Sequence, residues 1–144
     1  MKKLLYLIYL QEVGSIGIEF ISRGCRKVYF CDKSKDAISV INKNLQKTRF
    51  TNNANIINND YKKCLEKFKN ENIKFDIIFL DPPYEKNFAI DAVKKIINYK
   101  LLNNNGKIII ETDQTIRELE GLKELNLDIC DCRKYGRVSL IFIN

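Results

Sequence analysis

A chain of 144 residues is long enough for one domain with a substantial core. Its 45% hydrophobic and 30% charged residues fit a soluble globular protein, and no apolar run reaches membrane-spanning length. The net charge of +7 suits a polyanion such as RNA or DNA, but the sequence is rich in Lys, Asn and Ile throughout and has no dense basic block, so charge is weak support.

Strands and helices alternate along the chain. Leu4 to Leu10 reads as a first apolar strand. Lys2 and Lys3 before it imitate a signal peptide, but the stretch is short and Gln11-Glu12-Val13 is not a small-residue cleavage site, so a cytoplasmic protein is expected. Ser15 to Arg23 reads as a helix and Lys27 to Cys31 as the second strand. Ser34 can cap a helix carrying Ala37, Ile38, Ile41 and Leu45 at helical spacing. Asn55 to Asn58 is a short third strand, and Tyr61, Leu65 and Phe68 mark the inner face of the next helix. Phe75 to Leu80 is the fourth strand, followed by a helix with Ala89, Val93, Ile96 and Ile97 on one face. Asn103-Asn104-Asn105-Gly106 reads as a turn into a fifth strand, Lys107 to Glu111. A short helix near Ile116 to Leu122 precedes two final strands, about Leu127 to Lys134 and Val138 to Ile143, punctuated by Tyr135-Gly136. Near-continuous apolar strands alternating with helices predict an α/β domain whose parallel sheet is covered on both faces.

Cys25, Cys31, Cys64, Cys130 and Cys132 are odd in number and scattered, with no C-x-x-C among them, and the chain has no histidine. That argues against a zinc site, excludes His-based catalysis, and leaves reduced thiols as the expected state. No metal is expected.

Asp81-Pro82-Pro83-Tyr84, at the carboxyl end of the fourth strand, carries the most chemistry. Open α/β sheets bind ligands at that edge. Pro82 and Pro83 lack N–H groups and fix φ, so the turn is stiff and its carbonyls are free to accept hydrogen bonds. Asp81 adds a carboxylate acceptor, and Tyr84 a flat face on which a base can stack. Two acceptors and a platform can hold a planar exocyclic amine. A bare Pro-Pro would read as a simple turn; this tetrapeptide at this place does not.

Gly14-Ser15-Ile16-Gly17 lies between the first strand and its helix, where glycines let the backbone approach a cofactor closely. Asp32 ends the second strand, where an acid commonly binds ribose hydroxyls, and Asp60, ending the third, could hold an adenine amine. Two glycines and one acid are equally open to a dinucleotide site or a purely structural role. Asp60 and the Asp81 to Tyr84 turn at successive strand ends make the signal strong.

Gly14 to Glu19, Ser22-Arg23-Gly24, the Asp32 strand end, Asn44-Leu45, Asp81 to Tyr84 and Tyr135-Gly136-Arg137 resemble the RsmD-type 16S rRNA (guanine-N2)-methyltransferases. The resemblance runs from Gly14 to Asn144. It implies a Rossmann-like fold with a mostly parallel seven-stranded sheet whose last strand is antiparallel. It also implies S-adenosyl-L-methionine as cofactor and a 16S rRNA or 30S ribosomal subunit substrate, for an enzyme expected to act as a monomer, away from membranes. By that resemblance Gly14 and Gly17 flank the methionine part of the cofactor, Asp32 holds the ribose and Asp60 the adenine. Asp81, Pro82, Pro83 and Tyr84 then grip a flipped guanine with its amine toward the methyl group. The alternatives are another amine methyltransferase, acting on adenine in DNA or RNA or on a protein glutamine, or an inactive fragment. A nicotinamide dehydrogenase is a third reading, and it has no account of Asp81 to Tyr84.

The front of the chain departs from the family. The resemblance implies, for family members, a further stretch before the first strand that helps build the active site and bind RNA, and a chain without it is the expectation here. Their first strand and loop read close to Val-Leu-Asp-Leu-Phe-Ala-Gly-Ser-Gly, where Tyr6 to Gly14 here reads Tyr-Leu-Ile-Tyr-Leu-Gln-Glu-Val-Gly. A carboxylate at Glu12 would face the cofactor's own carboxylate. Reading suitable synonymous codons of the family stretch one base later, with one base added before the last codon, yields the sequence found here. We therefore expect a single domain over residues 1–144 in which residues 1–13 are out of frame, through one inserted base near the Val13 codon. The rival is ordinary divergence, with Leu4 to Leu10 still serving as a strand. Resequencing the source DNA from upstream through the Ser15 codon should reveal another frame ending in Asp-Leu-Phe-Ala-Gly. Its absence would make Glu12 genuine.

Overall fold

The computed structural model describes residues 5–9, 15–81 and 87–144, with residues 5–9 and 15 described by their backbone. The apolar runs become the strands β1 (Leu5–Tyr9), β2 (Lys27–Asp32), β3 (Ala54–Asn58), β4 (Phe75–Leu80), β5 (Leu102–Thr112), β6 (Ile129–Tyr135) and β7 (Val138–Ile143). The amphipathic stretches become the helices α1 (Ser15–Ser22), α2 (Lys35–Thr48), α3 (Tyr61–Asn70), α4 (Phe88–Asn98) and α5 (Thr115–Glu124). One seven-stranded sheet has the order β3-β2-β1-β4-β5-β7-β6. β1 pairs in parallel with both β2 and β4, β2 with β3, and β4 with β5. β7 runs antiparallel to β5 and to β6. This is the expected Rossmann-like arrangement, with the last strand reversed. The chain winds from β1 out to β3, then crosses to β4 on the other side of β1, so the topological switch point lies at the carboxyl ends of β1 and β4.

Alternation along the central strands builds a core on each face. Val28 and Phe30 of β2 and Phe79 of β4 join Ile21 of α1 and Ile41 and Leu45 of α2 on one side. Tyr29 and Cys31 of β2 and Ile78 and Leu80 of β4 join α3, α4 and α5 on the other, where Leu65, Phe68, Val93, Ile96 and Leu122 are buried. Both faces are dry, which is why these strands read as continuous apolar runs rather than alternating ones. Tyr29, Phe68 and Phe75 interlock edge to face, with ring centroids 4.9 to 5.5 Å apart, a geometry favoured by the aromatic quadrupole.

Helix ends follow their local chemistry. The Ser34 hydroxyl accepts the Ala37 N–H at 3.2 Å and caps α2 as expected. α2 stops at Arg49, in the left-handed region with φ 63°.

Two expectations need correction. The Asn103 to Gly106 turn does not precede β5 but lies inside it. Phe75 of β4 faces Leu102 and Ile77 faces Lys107, so the asparagines form an outward loop between two paired stretches of one strand. The turn chemistry is still present: Asn105 has φ 65°, and a Cβ on Gly106 would sit 2.8 Å from the Asn103 carbonyl oxygen. Ile97, expected on the inner face of α4, is 41% exposed. Phe88, Ala89, Ala92, Val93 and Ile96 already fill that face.

Phe68 is fully buried at the centre of the aromatic trio. Phe68→Ala should destabilise the fold by about 3–5 kcal/mol through lost transfer energy and a cavity. In urea denaturation this lowers the midpoint at unchanged slope.

Candidate functional site

Parallel strands all deliver their following residues to one edge of the sheet. Asp32 is the last residue of β2 and faces Asn58, the last residue of β3. Tyr9 ends β1 between Cys31 and Leu80, and Asp81 follows Leu80 directly. Asp60 begins α3 just beyond β3. The structure therefore brings Asp32, Asp60 and Asp81 to the switch-point edge, with Gly17 buried in the first turn of α1 beside them. At the usual strand spacing of about 4.8 Å, Asp32 and Asp81 are separated by roughly 10 Å across β1. Gly14, Pro82, Pro83 and Tyr84 lie outside the described residues.

Asp32 is the most informative member. Only 5% of it is exposed. Its Oδ1 accepts the Ser34 N–H at 2.9 Å. Its Oδ2 is buried and has no hydrogen-bond partner among the described residues. Burial raises its pKa, opposed by the backbone N–H groups of Ser34 and Lys33 and by the Lys33 charge. A buried carboxylate oxygen without a donor is costly. A ligand hydroxyl presented at this edge would supply the missing donor, so the residue fits the ribose role proposed for it.

Asp60 already has a structural task. Its Oδ1 caps α3 by accepting the Lys63 N–H at 2.9 Å. Its own N–H donates to Asn59 Oδ1 at 2.9 Å. Capping uses one carboxylate oxygen and leaves Oδ2 for a ligand amine. Asp81 is half-buried at the end of β4.

Supporting residues escaped the sequence reading. Asn58 Nδ2 donates to the Asp32 carbonyl at 3.0 Å and ties the end of β3 to β2. Tyr61 donates its hydroxyl to Asp91 Oδ2 at 2.5 Å, and its ring packs on Phe88 at 4.2 Å. These contacts join the starts of α3 and α4. An Asn at a strand end and an Asp one turn into a helix carry no distinctive signal, since both usually face water.

All five cysteines are free thiols. Burial pushes the Cys31 thiol well above its ordinary value, reinforced by the Cys64 thiol and by Asp32. Cys130 and Cys132 are exposed on β6, the outermost strand. Among the described residues no group of three or more acidic or Cys side chains could hold a metal ion. None of their helices is long and apolar enough to cross a membrane.

With this geometry in hand, the sequence model of the family described as Conserved hypothetical protein 95 matches residues 12–144. YlbH of Bacillus subtilis (strain 168) is 31% identical over 112 residues, 78% of this chain and 61% of that protein. The ribosomal RNA small subunit methyltransferase D of Haemophilus influenzae is 33% identical over 102 residues, 70% of this chain and 52% of that one. The chain thus spans between half and two thirds of the length of these relatives. A conserved hypothetical protein of Streptococcus pyogenes shares the fold, with a TM-score of 0.83 at 22% identity over 100% of this chain and 88% of the other.

The Asp32 environment makes opposite demands on stability and binding. Its folded-state pKa is raised, so the stability it contributes is fully present below the unfolded value. That stability is lost as pH rises through the folded value. Asp32→Asn should therefore raise the thermal midpoint of the ligand-free chain at pH 7, with the gain vanishing below about pH 4. Calorimetric titration should show nucleoside-cofactor affinity falling about tenfold or more.

Proposed function

Because the chain belongs to the Conserved hypothetical protein 95 family, the RsmD family of its sequence resemblance, we propose that it is built for S-adenosyl-L-methionine-dependent methyl transfer to ribosomal RNA. The finer reading is transfer to the exocyclic N2 amine of a guanine in 16S rRNA. The observation that carries this reading is the row of carboxylates, Asp60, Asp32 and Asp81, at the carboxyl ends of the parallel strands β3, β2 and β4 on the switch-point edge, with one Asp32 oxygen buried and without a partner among the described residues.

When bound, the cofactor supplies an electrophilic methyl group on a sulfonium centre. Asp32 accepts hydrogen bonds from the ribose hydroxyls, and Asp60 accepts one from the adenine amine. Gly14 and Gly17 allow close approach of the backbone. Asp81 and the Pro82 carbonyl accept the N–H bonds of the target amine. That amine is a poor nucleophile because its lone pair is delocalised into the ring. Drawing on its N–H bonds favours a pyramidal nitrogen, and holding it in line supplies much of the rate. Flipping the base out of its stack costs a few kcal/mol, and stacking on Tyr84 offsets part of that.

The thiols argue against carbon methylation through a covalent enzyme adduct. That chemistry needs a thiolate. Burial raises the pKa of Cys31, the residue before Asp32, which works against forming one there.

Methyl transfer to 30S particles lacking the modification, compared with transfer to duplex DNA, tests the substrate class. Activity on DNA alone would replace ribosomal RNA with the adenine reading. Asp81→Ala should reduce transfer by about a hundredfold or more while sparing binding of S-adenosylhomocysteine. Loss of both together would remove Asp81 from the amine-gripping role.

A further inference from the structure

The second feature of the active edge lies beyond β5. Thr112 at the end of β5 faces Ser139 near the start of β7, so the β6–β7 hairpin tip, Tyr135 to Val138, projects at the same edge as Asp81. Leu80 of β4 faces Ile110 of β5, which places the tip on the far side of one intervening strand. Between this tip and the first turn of α5 is an open cavity of about 480 Å³. Arg117, Lys134 and Arg137 line it, against one acid, Asp113.

The surface around that cavity is unusual in two ways. Tyr135 is 58% exposed and Ile116 74% exposed. Ile116 lines the cavity, and Tyr135 lies between two of its lining residues, Lys134 and Gly136. Lys134 and Arg137 have no ion-pair partner among the described residues. Exposed π-surface interleaved with unpaired cations is the composition that binds single-stranded nucleic acid.

The site is also rigidly mounted. Thr115 Oγ1 and Ser139 Oγ are hydrogen-bonded at 2.6 Å, pinning the start of α5 to the start of β7. Arg117 Nε donates to Oε1 of the buried Glu118 at 3.0 Å, which fixes the guanidinium at the cavity wall. Gly136 turns the hairpin with φ +64°, and a Cβ there would meet nothing within 4 Å, so the approach is open. The larger cavity, about 670 Å³, lies at the opposite edge among Asn103 to Lys107, away from Asp32 and Asp81.

We propose that the β6–β7 hairpin tip and the first turn of α5 form a docking surface for the RNA strand that carries the target base. Tyr135 stacks on a neighbouring base, and Lys134, Arg137 and Arg117 contact phosphates. This rests on the reading that the substrate is RNA. It adds the element that holds the strand beside Asp81.

The test measures binding of the full chain to a protein-free, unmodified 16S rRNA transcript across a salt series. S-adenosylhomocysteine affinity and thermal midpoint are measured in parallel. Lys134→Ala/Arg137→Ala should weaken RNA binding at least tenfold and flatten the log–log salt slope by about 1.4, as expected for two lost phosphate contacts. Tyr135→Ala should weaken it about tenfold, and Tyr135→Phe should restore it. Cofactor affinity and thermal midpoint should not move. Variants that bind the transcript like the parent would overturn this assignment and leave the methyltransferase reading intact. A parent that binds S-adenosylhomocysteine but not the transcript would sink the RNA reading and this one with it. A defect seen only with 30S particles would hand the surface to a ribosomal protein instead.

Discussion

β1 is hydrogen-bonded on both sides, to β2 and to β4, and this double parallel pairing fixes where everything else can go. Parallel strands cannot be joined by tight turns, so each must be followed by a crossover that returns to the opposite edge. Every strand of the parallel set therefore releases its next residue at one edge. Asp32, Asp60 and Asp81 gather there because of topology, although they are distant in sequence. The reversal of winding direction at β1 places the switch point at the carboxyl ends of β1 and β4. The antiparallel β7 adds a second consequence. By running backward beside β5 it carries the hairpin tip to the same edge. One sheet thus presents an acidic row beside a basic, aromatic tip.

The Asp32 carboxylate shows what this convergence costs. Asp32 is an acid buried at the sheet edge with one oxygen that has no partner among the described residues, as Glu118 is in α5. The ordered N–H of Ser34 and the Asn58 bond to the Asp32 carbonyl hold the residue in place without satisfying it. On the proposed reading, the orientation would be settled before a ligand arrives, and a ligand donor would relieve the unpaired oxygen. Asp60 shows the other solution. One of its oxygens caps α3 and gains stability from that, so its second oxygen can be offered at little cost.

Much of this was legible in the residues. Apolar runs bounded by polar helices gave the strands within a few positions, and Ser34 marked its helix start because capping is a local matter. The sheet order and the reversed last strand followed only from the family resemblance. Asn103 to Gly106 was read as a boundary because asparagine and glycine favour left-handed backbone. A strand can absorb such a loop when pairing resumes beyond it, and this is decided by β4 rather than by the loop. Ile97 was misplaced because helical spacing admits a wider stripe than the sheet can cover. The α5–hairpin cavity was marked in the sequence only by Tyr135-Gly136-Arg137, which carries the family resemblance but does not show what it packs beside. Its parts, Arg117 and the Lys134 to Arg137 stretch, are far apart in the chain, and each alone looks like an ordinary solvated segment.

The first strand separates what the fold requires from what the chemistry requires. A central parallel strand needs an apolar, β-favouring run of about the right length, and many sequences satisfy that. Leu5–Tyr9 pairs with β2 and Tyr6–Tyr9 with β4, even though the family match begins only at residue 12. The loop that follows has no such latitude. By the family resemblance, a small residue there would let a charged cofactor approach, where this chain has Glu12. A frame change across Tyr6 to Val13 would therefore leave the sheet standing while altering the cofactor loop. Stability measurements would report an ordinary protein, and cofactor binding would register the damage. Retained folding is thus no argument for retained catalysis in this chain. The β6–β7 hairpin is separated from β1 by β4 and β5, so the RNA affinity proposed for it should be independent of the outcome.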